Sequence, residues 1–214
     1  MHDSPVWESV LKLVFDAGTA IGTVAVAILA IWGEQVRARF APPKVTLRLH
    51  TFRGIPAVLT IPGVNMPSGG KRARYYHLKA VNVGWLTVQN CRVLLTGIRR
   101  READGTYTPT AFPVPFPFIW SGEEPGSEAV TITTETVFDF GRVIEGGDVF
   151  EPRLRAFPNT FDGVVRRGEA VRYELAVDAS NYGSRTPHVF EVTWDGEYPV
   201  VSIPARPEVT LGAP

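Results

Sequence analysis

Cysteine is almost missing from these 214 residues: Cys91 stands alone. That excludes an internal disulfide framework and a multi-cysteine zinc site. Net charge is missing too, since 22 basic residues balance 22 acidic ones. A dedicated nucleic-acid binder carries a basic excess, so the sequence makes no strong case for a nucleic-acid partner. Histidine is scarce. His2, His50, His77 and His188 stand far apart, and neither HExxH nor CxxC occurs, so no metal site is expected. His50 and His77 meet only if their strands pair. GxGxxG and GxSxG are also absent. Gly69-Gly70-Lys71 looks like the end of a phosphate loop. However, Asn65 stands where the first glycine is needed, and Arg72 stands where Ser or Thr must hold magnesium. Glu123-Glu124 and Asp139 select no pair of carboxylates at catalytic separation. No nucleophile, base and oxyanion donor assemble, so the chain is expected to be non-enzymatic, without catalytic residues or cofactor. Cys91 opens a predicted strand and is expected in the core.

Long apolar runs are likewise few, and the one present dominates the N-terminus. Ala17 to Gly33 is 17 residues without a charge. As a helix it spans roughly 25 Å, slightly less than a hydrocarbon core of ~30 Å. Extending it back gives a membrane span over about 11–32, within a helix over about 11–39. Lys12 and Asp16 are four apart, on one helix face, and Lys12 can snorkel to headgroups. Trp7 and Trp32 fall at the two interfaces. A signal peptide is one alternative, but the start MHDSPVWESV is acidic where a basic segment is required. A buried core helix would show a polar face, and this run has almost none.

Arg37, Arg39, Lys44 and Arg48 follow the helix, whereas Lys12 and the terminal amine precede it. The positive-inside rule puts the N-terminus outside and the C-terminal domain in the cytoplasm, anchored in the cell (inner) membrane. Gly18 and Gly22 form GxxxG, and Thr19, Thr23 and Ala27 continue a small-residue stripe beside it. Small residues let helices approach in lipid, so a homo-oligomer through this face is expected beside the bilayer itself.

Beyond Pro42-Pro43 the period changes. Residues 1–43 form the anchor, and 44–214 read as one β domain. Val45, Leu47 and Leu49 share one strand face. Tyr75–Val83, Cys91–Ile98, Thr106–Thr110, Ala129–Thr133, Val137–Phe140, Ala170–Val177, Val189–Trp194 and Tyr198–Ile203 are further strands. Asp104-Gly105 and Asp195-Gly196 signal hairpins, and 145–148 and 162–163 signal other reversals. About nine short strands at turn-separated intervals indicate an antiparallel, immunoglobulin-like β-sandwich.

The run YYHLKAVNVGWLTVQNCRVLLTGI resembles the B–C hairpin of bacterial immunoglobulin-like adhesion modules. That resemblance implies a fold and no function. The architecture as a whole resembles membrane effectors of bacterial antiviral defence, which join a membrane helix to a cytoplasmic β domain. It implies a β domain that senses a nucleotide or other anionic ligand. Lys71, Arg72, Arg74, Arg99, Arg100 and Arg101 are the candidate anionic-ligand patch, and arginine outnumbers lysine 18 to 4. If the clusters do not converge, they are a solvated surface. Phe112, Val114, Phe116 and Phe118 alternate with prolines in PTAFPVPFPFIW, and Trp120 follows; Phe112, Phe116, Phe118 and Trp120 are the candidate contact residues. They make either a contact ribbon for a partner or a lid on the core. The leading expectation is a single-pass membrane protein whose cytoplasmic domain is a binding or assembly module. An exported or periplasmic binding domain is the further alternative.

Overall fold

The computed structural model describes residues 6–40, 42–51, 53–59, 70–111, 115–122, 127–159, 161–196 and 201–202, with backbone alone at 6, 8–9, 34–40 and 201–202. Two compact units divide the chain, one ending at Pro42 and the other beginning at Pro43.

The first unit is α1 (Val6–Phe40). It starts earlier than Leu11 because Trp7 and Val10 continue the apolar pattern. It stops before Pro42-Pro43, where the missing N–H and the ring clash forbid continuation. Val10–Gly33, 24 residues of mean hydropathy 2.0, is long and apolar enough to cross a membrane, and none of it is buried. Lys12 and Asp16 share a face, but the described ion pairs do not include them. Lys before Asp is the weaker order for an i,i+4 pair.

The second unit is β throughout. Its long strands are β3 (Lys71–Asn82), β4 (Val88–Arg101), β9 (Glu135–Ile144), β12 (Ala170–Ala179) and β14 (His188–Trp194). Shorter ones precede, separate and follow them: β1 (Val45–Leu49), β2 (Ile55–Leu59), β5 (Tyr107–Pro109), β6 (Phe116–Pro117), β7 (Ile119–Trp120), β8 (Val130–Ile132), β10 (Val149–Pro152), β11 (Val165–Arg166), β13 (Tyr182–Gly183) and β15 (Val201–Ser202).

They form two curled antiparallel sheets. One has the order β1-β3-β9-β10-β11, with β2 also on β3 and β7 also on β9. The other has the order β15-β14-β12-β4-β5, with β13 on β12 and both β6 and β8 on β4. Each sheet thus has a long spine edged by short strands laid end to end. Register shifts at Tyr76/His77 and Glu174/Leu175 bend the strands, as bulges do.

The core lies between the sheets. Tyr76, Leu78, Phe138, Phe140 and Phe150 point in from one, and Leu95, Ile98, Tyr173, Leu175 and Val192 from the other. Phe140 is central, its ring 5.5–5.9 Å from those of Phe118, Phe150, Tyr173 and Phe190. Each such burial stabilises the fold by roughly 1.5–3 kcal/mol. Gly141 is required beneath Phe150: a Cβ there would stand 2.1 Å from the ring.

Three expectations change. The run resembling a hairpin is not one, because β3 and β4 lie in opposite sheets. A hairpin needs a tight primed turn. Here Asn82 instead donates to the carbonyls of Leu86 (2.8 Å) and Thr133 (3.1 Å), steering the chain across. Secondly, the Phe/Pro ribbon is no exposed surface over its described part. β6 pairs with β4 and β7 with β9, so the ribbon crosses from sheet to sheet. Phe118 and Trp120 are buried, and Phe116 packs against the core. Proline fits because these strands lie on edges. Phe112 lies outside the described residues. Thirdly, β2, β10, β11 and β13 fall outside the expected strands. Pro56 masks β2, and β10 is only four residues long. Of the expected strand Tyr198–Ile203, the described part is Val201–Ser202.

Candidate functional site

The six candidate basic residues do not come together. Lys71, Arg72 and Arg74 belong to β3 in one sheet, and Arg99, Arg100 and Arg101 to β4 in the other. Three of the six have a carboxylate partner. Arg72 lies 3.9 Å from Glu145, both well exposed, an arrangement worth little. Arg74 donates to the Arg53 carbonyl at 2.6 Å. Arg99 meets Glu174 at 2.5 Å, and Gly97 leaves room for that carboxylate to reach it. Arg100 clamps a loop. It donates to Glu169 (2.6 Å), to the Asp162 carbonyl (2.6 Å) and carboxylate (3.1 Å), and to the Val164 carbonyl (3.1 Å).

The outer face of this sheet continues the pattern. Arg92 pairs with Asp178 and Arg172 with Glu191, and the Arg172 guanidinium lies 3.6 Å from the Tyr107 ring centroid. Cross-strand pairs of opposite charge stabilise a sheet, and this spends the arginines on the fold.

Arg101 borders an open cleft of about 560 Å³ at the end of β4. Glu102, Gly168, Glu169, Trp194 and Asp195 line it too. The volume suits a small ligand. The charge does not suit an anion, because three carboxylates face one guanidinium.

A polar cluster sequence spacing did not show lies on the outer face of β3 and β9. His77 Nε2 is 3.2 Å from the Asp139 carboxylate, which also accepts from the Ser121 hydroxyl. Burial works against the Asp139 charge. Hydrogen bonds from His77 and Ser121 outweigh it and hold the carboxyl below its ordinary range. The carboxylate stands between hydroxyl and imidazole, so the imidazole is not placed to take the hydroxyl proton. Tyr75 stacks on His77 at 6.4 Å, and Arg153 lies 5.9 Å from the Tyr75 ring. His50 and His77 do meet, but through the His50 N–H and the His77 carbonyl at 3.0 Å. Among the described residues no three His, Cys, Asp or Glu side chains gather as metal ligands. Cys91 is buried, and burial, with Asp178 nearby, pushes its thiol up to about 12. Such a thiol is a core residue and a poor nucleophile.

On α1, a Cβ built at Gly18 or Gly22 meets nothing within 4 Å, so that face is bare. The Thr19 hydroxyl donates to the Phe15 carbonyl (2.8 Å) and that of Thr23 to the Thr19 carbonyl (2.9 Å). These bonds satisfy both hydroxyls within the helix, as an apolar surrounding requires. Trp7, Lys12, Asp16 and Trp32 are all exposed. The side chains of Arg37 and Arg39 lie outside the described residues.

Sequence reasoning passed over Trp85. It is 92% exposed on the β3–β4 link, beside Val83 at 46%. A tryptophan directly after Asn82-Val83-Gly84 is a large aromatic in a turn, and that was the available signal. The link is held rather than loose: Gly84 N–H donates to the Asn82 side chain at 3.0 Å, and Val83 N–H to the Lys44 carbonyl at 2.7 Å.

Compared with known proteins, the chain matches no family model and no curated sequence.

Proposed function

We propose a non-enzymatic, single-pass membrane protein whose immunoglobulin-like β-sandwich is a binding or assembly module on the cytoplasmic side. One observation carries the reading: Val10–Gly33 is a continuous apolar helix with none of its surface covered. Left in water, that surface would cost on the order of 25 cal/mol per Å². The immunoglobulin-like reading is supported by strand order. One sheet contains β1-β3-β9 with β7 beside β9, and the other β4-β12-β14. In chain order these correspond to A-B-E-D and C-F-G of that fold. Tyr173 adds support: near the start of β12 its hydroxyl donates to the Gly163 carbonyl at 2.6 Å, like a tyrosine corner. The cytoplasmic side rests on the basic residues after the span, Arg37, Arg39, Lys44 and Arg48.

A reporter fused after Pro214 tests the orientation. Activity confined to the cytoplasm is expected, and activity only outside the cell would overturn that side. Partner capture from detergent extracts tests the module: a stoichiometric protein partner is expected, and its consistent absence would count against it.

A further inference from the structure

We infer that the β3–β4 link, with Trp85 at its tip, is a second membrane contact that seats one end of the β domain in the lipid headgroup layer. The inference rests on the membrane-anchor reading above.

Covalent connectivity is the first ground. Lys44 immediately precedes β1, and its carbonyl receives the Val83 N–H. Only three residues separate Lys44 from Phe40, the last residue of α1. Four residue steps reach at most about 14 Å. The seven steps from Gly33 to Phe40 add only ~10 Å of helix. The chain from the end of the span to Lys44, which bonds the Trp85 link, therefore reaches at most about 24 Å.

Composition is the second ground. The link Asn82-Val83-Gly84-Trp85-Leu86-Thr87 carries no charge. Two turns are hydrogen-bonded to it. Thr133 and Thr134 accept from Asn82, and the Asn181 side chain donates to the Thr87 carbonyl at 2.9 Å. These turns, Thr133–Thr134 and Ser180–Asn181, are uncharged as well, and Lys44 is the cation whose backbone bonds the link. The opposite end of β4 is crowded with Arg101, Glu102, Asp104, Arg166, Glu169 and Asp195. One end is thus dressed for water, and the other for an interface.

Trp85 itself is the third ground. Indole has an apolar body and an N–H donor, which suit the headgroup layer better than bulk water or hydrocarbon. A 92% exposed tryptophan on a hydrogen-bonded loop is unexplained by the fold. Its side chain is free to insert without rearranging the core.

The test uses the full chain in phosphatidylcholine nanodiscs, with all tryptophans replaced by 5-fluorotryptophan and a gadolinium-chelating headgroup lipid added. Trp85→Phe assigns the Trp85 fluorine resonance. Trp7 and Trp32 report on the span, while buried Trp120 and Trp194 serve as interior references. The expected result is loss of the Trp85 signal together with those of Trp7 and Trp32, with Trp120 and Trp194 retained. A sharp Trp85 signal while Trp7 and Trp32 vanish would overturn this inference alone. Sharp signals from Trp7 and Trp32 would overturn the membrane-anchor reading and this inference with it. A Trp85 signal shifted with protein concentration yet untouched by gadolinium would assign the loop to a protein contact instead, and overturn the lipid assignment.

Discussion

Phe150 lies across Gly141 so closely that no Cβ fits between them. Gly141→Ala should therefore lower stability by about 1–3 kcal/mol, the usual cost of overpacking a core, read as a shifted denaturation midpoint. Cys91 has no solvent exposure, and its thiol is raised to about 12. A maleimide or iodoacetamide should leave it unmodified in the folded protein and modify it fully in denaturant, as mass spectrometry would show. His188 is pushed below its ordinary value of 6.5 by burial. The unfolded chain then takes up this proton first. Stability attributable to His188 is intact above about 6.5 and falls as pH drops from there towards the folded-state value. Denaturation midpoints measured across that window should flatten in His188→Gln. Individual residues of this kind were half legible in sequence. Cys91 as core followed from the strand it opens, whereas the need for glycine at 141 depends on a ring nine residues away across a hairpin.

At the scale of elements, α1 and the ribbon show what periodicity can and cannot deliver. A helix of 17 uncharged residues needs no partner to be recognised, and Pro42-Pro43 marks its end by local chemistry. The alternating strands β1, β4, β12 and β14 were legible for the same reason, since their inward residues recur every second position. Edge strand β2 was not, and β6 and β7 were legible only as an extended ribbon, an edge strand or polyproline II. Their pairing is fixed by β3, β4 and β9, distant in sequence, and prolines disguise them. The arginine clusters failed as a site for a related reason: they lie in opposite sheets, and Arg99 and Arg100 are held by carboxylates distant in sequence, Glu174 and Glu169. On α1, Gly18 and Gly22 present a bare strip. Gly18→Leu with Gly22→Leu should weaken crosslinked oligomers in membranes, because bulky side chains hold the backbones apart. Unchanged crosslinking would remove that face from assembly.

For the whole molecule, zero net charge is an average over an apolar helix and a β domain studded with paired charges. Within the β domain the charges also divide. They ladder the outer sheet faces and crowd the end with Arg101 and Glu169, while the β3–β4 link from Asn82 to Thr87 is uncharged and carries Trp85. The cleft of about 560 Å³ lies at the charged end of the β domain. The account depends on α1 remaining in the protein and in the bilayer. Membranes washed in alkaline carbonate, then dissolved in detergent for intact-mass measurement, test this most directly. The account predicts that the protein stays with the carbonate-washed membrane, is released by detergent, and retains the mass of a chain that includes α1. Release by carbonate, or a mass lacking α1, would contradict it.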